Sequence, residues 1–140
     1  MILPVFPGST KGGGTCLGAP DVCKTPAPPS PSPVPIPYPN TGMLNMASKT
    51  STKVKFVSKE VVTLKSEIPS SSGDEAGVAG GMVSGKNLDK VTFKKGSMKV
   101  KIEGQPCIHL TSISSHNGMN ANMPAGCQIV PSQTKVLVAP

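Results

Sequence analysis

Apolar and polar positions alternate in short runs through most of this chain after residue 50. Lys53-Val54-Lys55-Phe56 sets the pattern, and Val61-Val62-Thr63-Leu64 follows Lys59-Glu60. Val91-Thr92-Phe93 and Met98-Lys99-Val100-Lys101-Ile102-Glu103 alternate again, and Lys135-Val136-Leu137-Val138 closes the chain. A period of two turns one face to a core and the lysines to water, which predicts β-strands. No amphipathic helix of useful length is predicted, because no apolar period of 3.6 is sustained. Ser70 to Gly81 reads as compact-turn sequence that permits at most one helical turn. The expected fold class is all-β, a small domain with long ordered loops.

The first forty residues follow other rules. Residues 8–20 are Gly-rich and read as a flexible lead-in, so the expected organisation is a lead-in over 1–19 and one domain over 20–140. Residues 26–39 hold eight prolines in fourteen positions. Proline fixes φ and removes a backbone donor, so this stretch is expected to be an extended polyproline segment. Val34, Ile36 and Tyr38 alternate within it, which predicts a fixed brace along a packed surface in preference to a mobile linker.

Composition sharpens the picture. At 140 residues, with three Phe, one Tyr and no Trp, only a modest core is available. Gly and Pro supply 31 residues, so rigidity must come from turns, proline segments, a metal or docking to a partner. The formal charge of +7 is carried wholly by lysine, since the sequence has no arginine. Nucleic-acid binding is disfavoured, because its readers rely on arginine forks and aromatic stacking. Met1 to Pro7 is apolar but lacks a basic start and a long apolar run, so no signal peptide is expected. No stretch approaches the roughly 20 apolar residues of a membrane span. The expected location is the cytoplasm, with any export by another route.

Three stretches, in this order, resemble the PAAR-like (proline-alanine-alanine-arginine-repeat-like) family of spike-tip proteins. They are Pro20-Asp21-Val22-Cys23-Lys24-Thr25-Pro26 leading into Pro35-Ile36-Pro37-Tyr38-Pro39-Asn40, then Ser72-Gly73-Asp74-Glu75-Ala76-Gly77 with Gly80-Gly81-Met82-Val83-Ser84-Gly85, and Glu103-Gly104-Gln105-Pro106 reaching His116-Asn117. Cys107-Ile108-His109 stands where members often carry Ala-Ala-Arg. The resemblance implies a small cone-shaped β-structure seated on the trimeric valine-glycine-repeat spike of a type VI secretion system. It implies that such a protein sharpens the spike, helps to load or deliver effector or adaptor proteins, and meets membranes only by puncture. It would leave the cytoplasm by secretion or injection into a target cell when the machine fires. With Pro140 soon after the tip region, no fused toxin is expected.

Relatives in the wider family hold zinc near the point with His and Cys ligands. The soft-ligand candidates here are Cys16, Cys23, Cys107, His109, His116 and Cys127, with no Cys-x-x-Cys pair among them. The preferred set is Cys23, His109, His116 and Cys127, with Cys107 and Cys16 as substitutes for His109. The alternative is that the cysteines act as small buried hydrophobes and that His116 caps a turn. Catalysis is not expected. There is no Gly-x-Ser-x-Gly elbow, Ser115 and His116 are strand neighbours that face opposite ways, and Ser72 to Glu75 reads as turn chemistry. The competing function class is a small extracellular structural or adhesive protein with two disulfides.

Overall fold

A computed structural model describes residues 5–29 and 31–140. Residues 1–4 of the apolar start and Ser30 of the proline segment lie outside the described residues. The strands are β1 (Phe6–Pro7), β2 (Thr15–Thr25), β3 (Val34–Met43), β4 (Lys55–Phe56), β5 (Lys59–Glu60) and β6 (Glu67–Ile68). They continue as β7 (Val91–Lys95), β8 (Lys101–Ile102), β9 (Gln105–Pro106), β10 (Ile113–His116), β11 (Met123–Val130) and β12 (Leu137–Val138). Among the described residues one three-residue 3-10 turn, Leu44–Met46, is the sole helical element. The fold is all-β, as the alternation predicts.

Six strands form one antiparallel sheet in the order β3-β2-β11-β10-β7-β6. Among the described residues there are also three two-stranded pairs, β1-β12, β4-β5 and β8-β9. The segment expected to be a lead-in supplies β1 and the first half of β2, an interior strand of the large sheet. Gly14 and Gly18 in it lie against Leu44 and His116, where a Cβ would come within 2.8 Å and 2.7 Å.

Only the second half of the proline segment, from Val34 to Pro39, is strand, and it pairs. Residues 28–29 form a turn and 31–32 bends, so the expected extension does not run through 26–33. Thr25↔Val34, Cys23↔Ile36 and Asp21↔Tyr38 are in register, alternating with Lys24↔Pro35 and Val22↔Pro37. Prolines cannot donate, so the pairs that exchange hydrogen bonds must be those of Val34, Ile36 and Tyr38. The other side of β2 agrees with this parity. The Lys24 N–H donates to Gly80 O (2.8 Å), and Val22 and Lys24 carbonyls accept from Met82 (3.0 Å) and Ala79 (3.1 Å). Pro35, Pro37 and Pro39 therefore turn their donorless side outward, where an edge strand tolerates proline. The next outward donor, Thr41 N–H, is taken by Ser72 O at 2.7 Å.

The interior divides into two small clusters, as so short a chain requires. Leu44, Val62, Ile68, Val91, Phe93 and Ile108 fill the first, together with Cys16 and Ala47. Val61, Ile102, Cys107 and Val138 form the second, flanked by Val54, Phe56 and Val100. The alternating segments noted in the sequence thus contribute to both cores, joined by Leu44, Ile68 and Ile108 in the first and Cys107 in the second. Their hairpins close through tight turns with left-handed residues, Val57 (φ 51°) and Ser58 (φ 64°) in β4-β5, and Glu103 (φ 51°) and Gly104 (φ 81°) in β8-β9.

Candidate metal centre

Asp21 and Cys23 lie two apart on β2, so the pleat directs both side chains to one face. The loop after β6 brings Asp74 to them, and all three residues are buried. Ligand atoms of Asp21, Cys23 and Asp74 lie within 4.8 Å of one another. The approach is close enough to need glycine at Gly77, where a Cβ would stand 2.3 Å from that of Cys23.

Two asparagines from the turn between β10 and β11 complete the site. Asn122 Nδ2 donates to Asp21 Oδ1 and to Val22 O (2.9 Å), and Asn117 Nδ2 donates to Asp21 Oδ1 (3.2 Å) and Lys86 O (2.7 Å). Their amide orientation is fixed from the far end, since Asn122 Oδ1 accepts from Val83 N–H (2.8 Å) and Asn117 Oδ1 from Asp89 N–H (3.2 Å). Asp74 Oδ1 accepts from Leu88 N–H at 3.1 Å. Asp21 Oδ2, by contrast, is buried with no donor.

The protonation of the site follows from this arrangement. Burial pushes Asp74 up to about 7, helped by the neighbouring Asp21 carboxylate. Burial also works to raise Asp21, but hydrogen bonds from Asp74, Asn122, Asn117 and Cys23 outweigh it and hold that carboxyl below its ordinary range. Burial and the two carboxylates push the Cys23 thiol up to about 12. As pH falls through about 7, Asp74 therefore takes up a proton while Asp21 stays ionised. A cation could take the place of that proton. A carboxylate oxygen from each of Asp21 and Asp74 converges with Cys23 Sγ, which lies 3.5 Å from Asp21 Oδ1 and 3.7 Å from Asp74 Oδ2. A cation that displaced the thiol proton would find two hard oxygens and one soft sulfur, a donor set that fits a divalent metal.

Of the four ligands expected from sequence, only Cys23 belongs to this group. His116, on β10, is fully buried between neighbours that use both its nitrogens. Nδ1 bonds Asn40 Oδ1 and Nε2 bonds Ser114 Oγ, each at 2.8 Å. Since the Asn oxygen only accepts, Nδ1 carries the proton and Nε2 accepts from the Ser114 hydroxyl. Burial lowers the ring to about 4, against the opposing pull of Asp21. Glycines on β11 and β2, the next two strands of the sheet on that side, make room for it, as a Cβ at Gly18 or Gly126 would come within 2.7 Å or 2.5 Å of the ring. His109 is elsewhere, stacked on Phe6 with ring centroids 5.4 Å apart and bonded through Nδ1 to Leu110 O. Cys127 lies half-buried on β11, paired with Leu17 and Ile113. The substitutes Cys16 and Cys107 are buried in the two cores, and all four cysteines are free thiols.

The two carboxylates were missed because each had a simpler reading. Asp74 lies in the Ser72 to Glu75 stretch that reads as turn chemistry, and Asp21 stands in the Pro20 to Pro26 motif without being a soft ligand. The available signal was Asp21-x-Cys23, a same-face pair once that stretch is read as a strand.

Residues 14–124 match the family described as the toxin PAAR-like domain. The chain belongs to that family. The match spans β2 through the turn carrying Asn117 and Asn122, so every residue of the centre falls inside the PAAR-like region. No curated protein and no solved structure matches the chain.

Proposed function

We propose that this PAAR-like chain is the tip of a type VI secretion spike, one copy capping the trimeric valine-glycine-repeat protein and helping to deliver effectors. The observation that carries the reading is the PAAR-like match over residues 14–124. The fold supports it in mechanical terms. Its longest segments are tied by ladders between distant parts of the sequence, and the proline side of β3 offers no donors to a passing strand. A part that is pushed through a membrane needs such closure.

A zinc ion is part of the proposal, with Asp21, Asp74 and Cys23 as its ligands in place of the set expected from sequence. It would supply a structural crosslink between β2 and the loop after β6, in a region that neither hydrophobic cluster reaches. The tip is not an enzyme in this reading. Ser114, His116 and Asn40 are aligned like a nucleophile, base and orienting group, but all three are wholly buried, which favours a structural network.

The test is co-purification with the cognate spike, followed by deletion of the gene. A spike tip binds the trimer, and its loss stops secretion as a whole. Loss of one effector alone would make the chain an adaptor, and failure to bind any trimeric spike would overturn the reading.

A further inference from the structure

The net charge of this chain is confined to one part of it. Residues 49–65 and 94–103 hold nine of the fourteen lysines and two of the seven carboxylates, which equals the whole +7; the remainder of the chain balances to zero. The fold brings these two segments together. Val54 and Phe56 from one and Val100 and Ile102 from the other pack around the second core. The Ser51 hydroxyl bonds the Glu103 carboxylate across them. Lys49, Thr52, Lys65 and Glu103 line a shared groove. All nine lysines are exposed. The two glutamates are occupied locally, Glu60 by Thr50 and Glu103 by Ser51.

Beside this basic surface lies a cleft of about 350 Å³, lined by Phe6, Met98, His109 and Ile113 with Lys95 among its walls. Met98 is 79 % exposed, an unusual cost for a large apolar side chain in water. Like charges held close on rigid hairpins repel, and an apolar cleft next to them is unsatisfied in solvent. Both defects are relieved by one kind of occupant. We propose that this face docks an acidic polypeptide segment that places an apolar side chain in the Phe6–Met98–Ile113 cleft while its carboxylates meet Lys94, Lys95 and Lys99.

A lipid surface fits less well, because the feature is concave and none of the Phe or Tyr side chains is exposed to anchor in an interface. Nucleic acid fits less well for want of arginine and of exposed rings for stacking. The inference rests on charge and shape alone, so it survives if no spike is captured.

The experiment uses the full chain and a fluorescein-labelled peptide alternating Glu with Leu, read by anisotropy. Polyglutamate, a Gln-Leu peptide, phosphatidylserine–phosphatidylcholine vesicles and duplex DNA are the competing probes. Binding of the Glu-Leu peptide should be strongest and should weaken with salt. Lys95→Glu with Lys99→Glu, or Ile113→Asp alone, should weaken it about tenfold, whereas Lys24→Glu with Lys86→Glu should change it less than about twofold. Melting curves check that the variants fold, as these lysines are exposed. Absence of peptide binding, equal loss from both lysine pairs, or tighter binding to vesicles or DNA would overturn the proposal.

Discussion

Acidification should weaken this fold through one identifiable side chain, His116. Its ring is buried and neutral, with an ionisation lowered from 6.5 to about 4 chiefly by desolvation. A base with a depressed folded-state pKa contributes stability that is complete above the unfolded value and is lost as pH falls toward the folded one. The window is thus pH 6.5 down to 4. Each unit within it is worth 1.36 kcal/mol, so moving from pH 7 to pH 5 removes about 2 kcal/mol on this account. Asp74 acts in the opposite sense. Its carboxyl is raised to about 7, so it gains stability over the same range, and the total pH curve of the native chain can look flat. The contribution must therefore be isolated with His116→Gln, which keeps a polar side chain but cannot be protonated. Urea unfolding of both proteins at pH 7 and pH 5 gives the double difference, expected near 2 kcal/mol. Proton–carbon NMR supplies a direct check, because the chain has only two histidines. A His116 midpoint near 6.5, or a variant with the same pH slope as the native chain, would refute the desolvation argument.

Three further outcomes follow from particular contacts. Asp74→Asn keeps the side-chain size and places an amide beside the Asp21 carboxylate, so at pH 7 without metal its stability should stay within about 1 kcal/mol of native, while zinc binding measured by calorimetry should be lost. Retained zinc would remove Asp74 from the ligand set. Gly126→Ala brings a methyl into the His116 ring and the Leu17 carbonyl, and should cost about 1–3 kcal/mol in urea unfolding. Val57 holds a left-handed φ of 51° with a branched side chain, so Val57→Asn should stabilise the β4-β5 hairpin by about 1 kcal/mol in thermal melts.

The parts of this fold that sequence revealed were those where lysine marks the wet face. Residues 53–64, 91–93 and 98–103 announce their two sides; they supply Val62, Val91 and Phe93 to the first core and Val61 and Ile102, with the flanking Val54, Phe56 and Val100, to the second. The large sheet was harder to see. β2 reads Thr-Cys-Leu-Gly-Ala-Pro-Asp-Val-Cys-Lys-Thr, and β11 reads Met-Pro-Ala-Gly-Cys-Gln-Ile-Val. Their glycines and prolines signal turns in isolation, yet Gly18 and Gly126 leave room for the His116 ring, which reaches from β10 over β11 to β2. Such glycines report a long-range contact, which no local window contains. The Asp21–Cys23–Asp74 cluster, which could hold a metal, was legible in one residue of three for a related reason. Histidine and cysteine draw attention as soft ligands, but here the histidines are held by Asn40, Ser114 and Phe6, and carboxylates from two distant segments join Cys23 instead.

The parity of the proline strand sets a rule for how this region can change length. In β3 the residues that donate toward β2 and the prolines that face away occupy alternate positions from Val34 to Pro39. Removing or inserting one residue there would rotate the prolines inward, leave the facing Asp21, Cys23 and Thr25 carbonyls without donors, and open the far edge to other strands. Removing or inserting two would preserve the order of both sides. The arm therefore behaves like a ratchet with a two-residue step, and its length should vary among viable variants only in even increments.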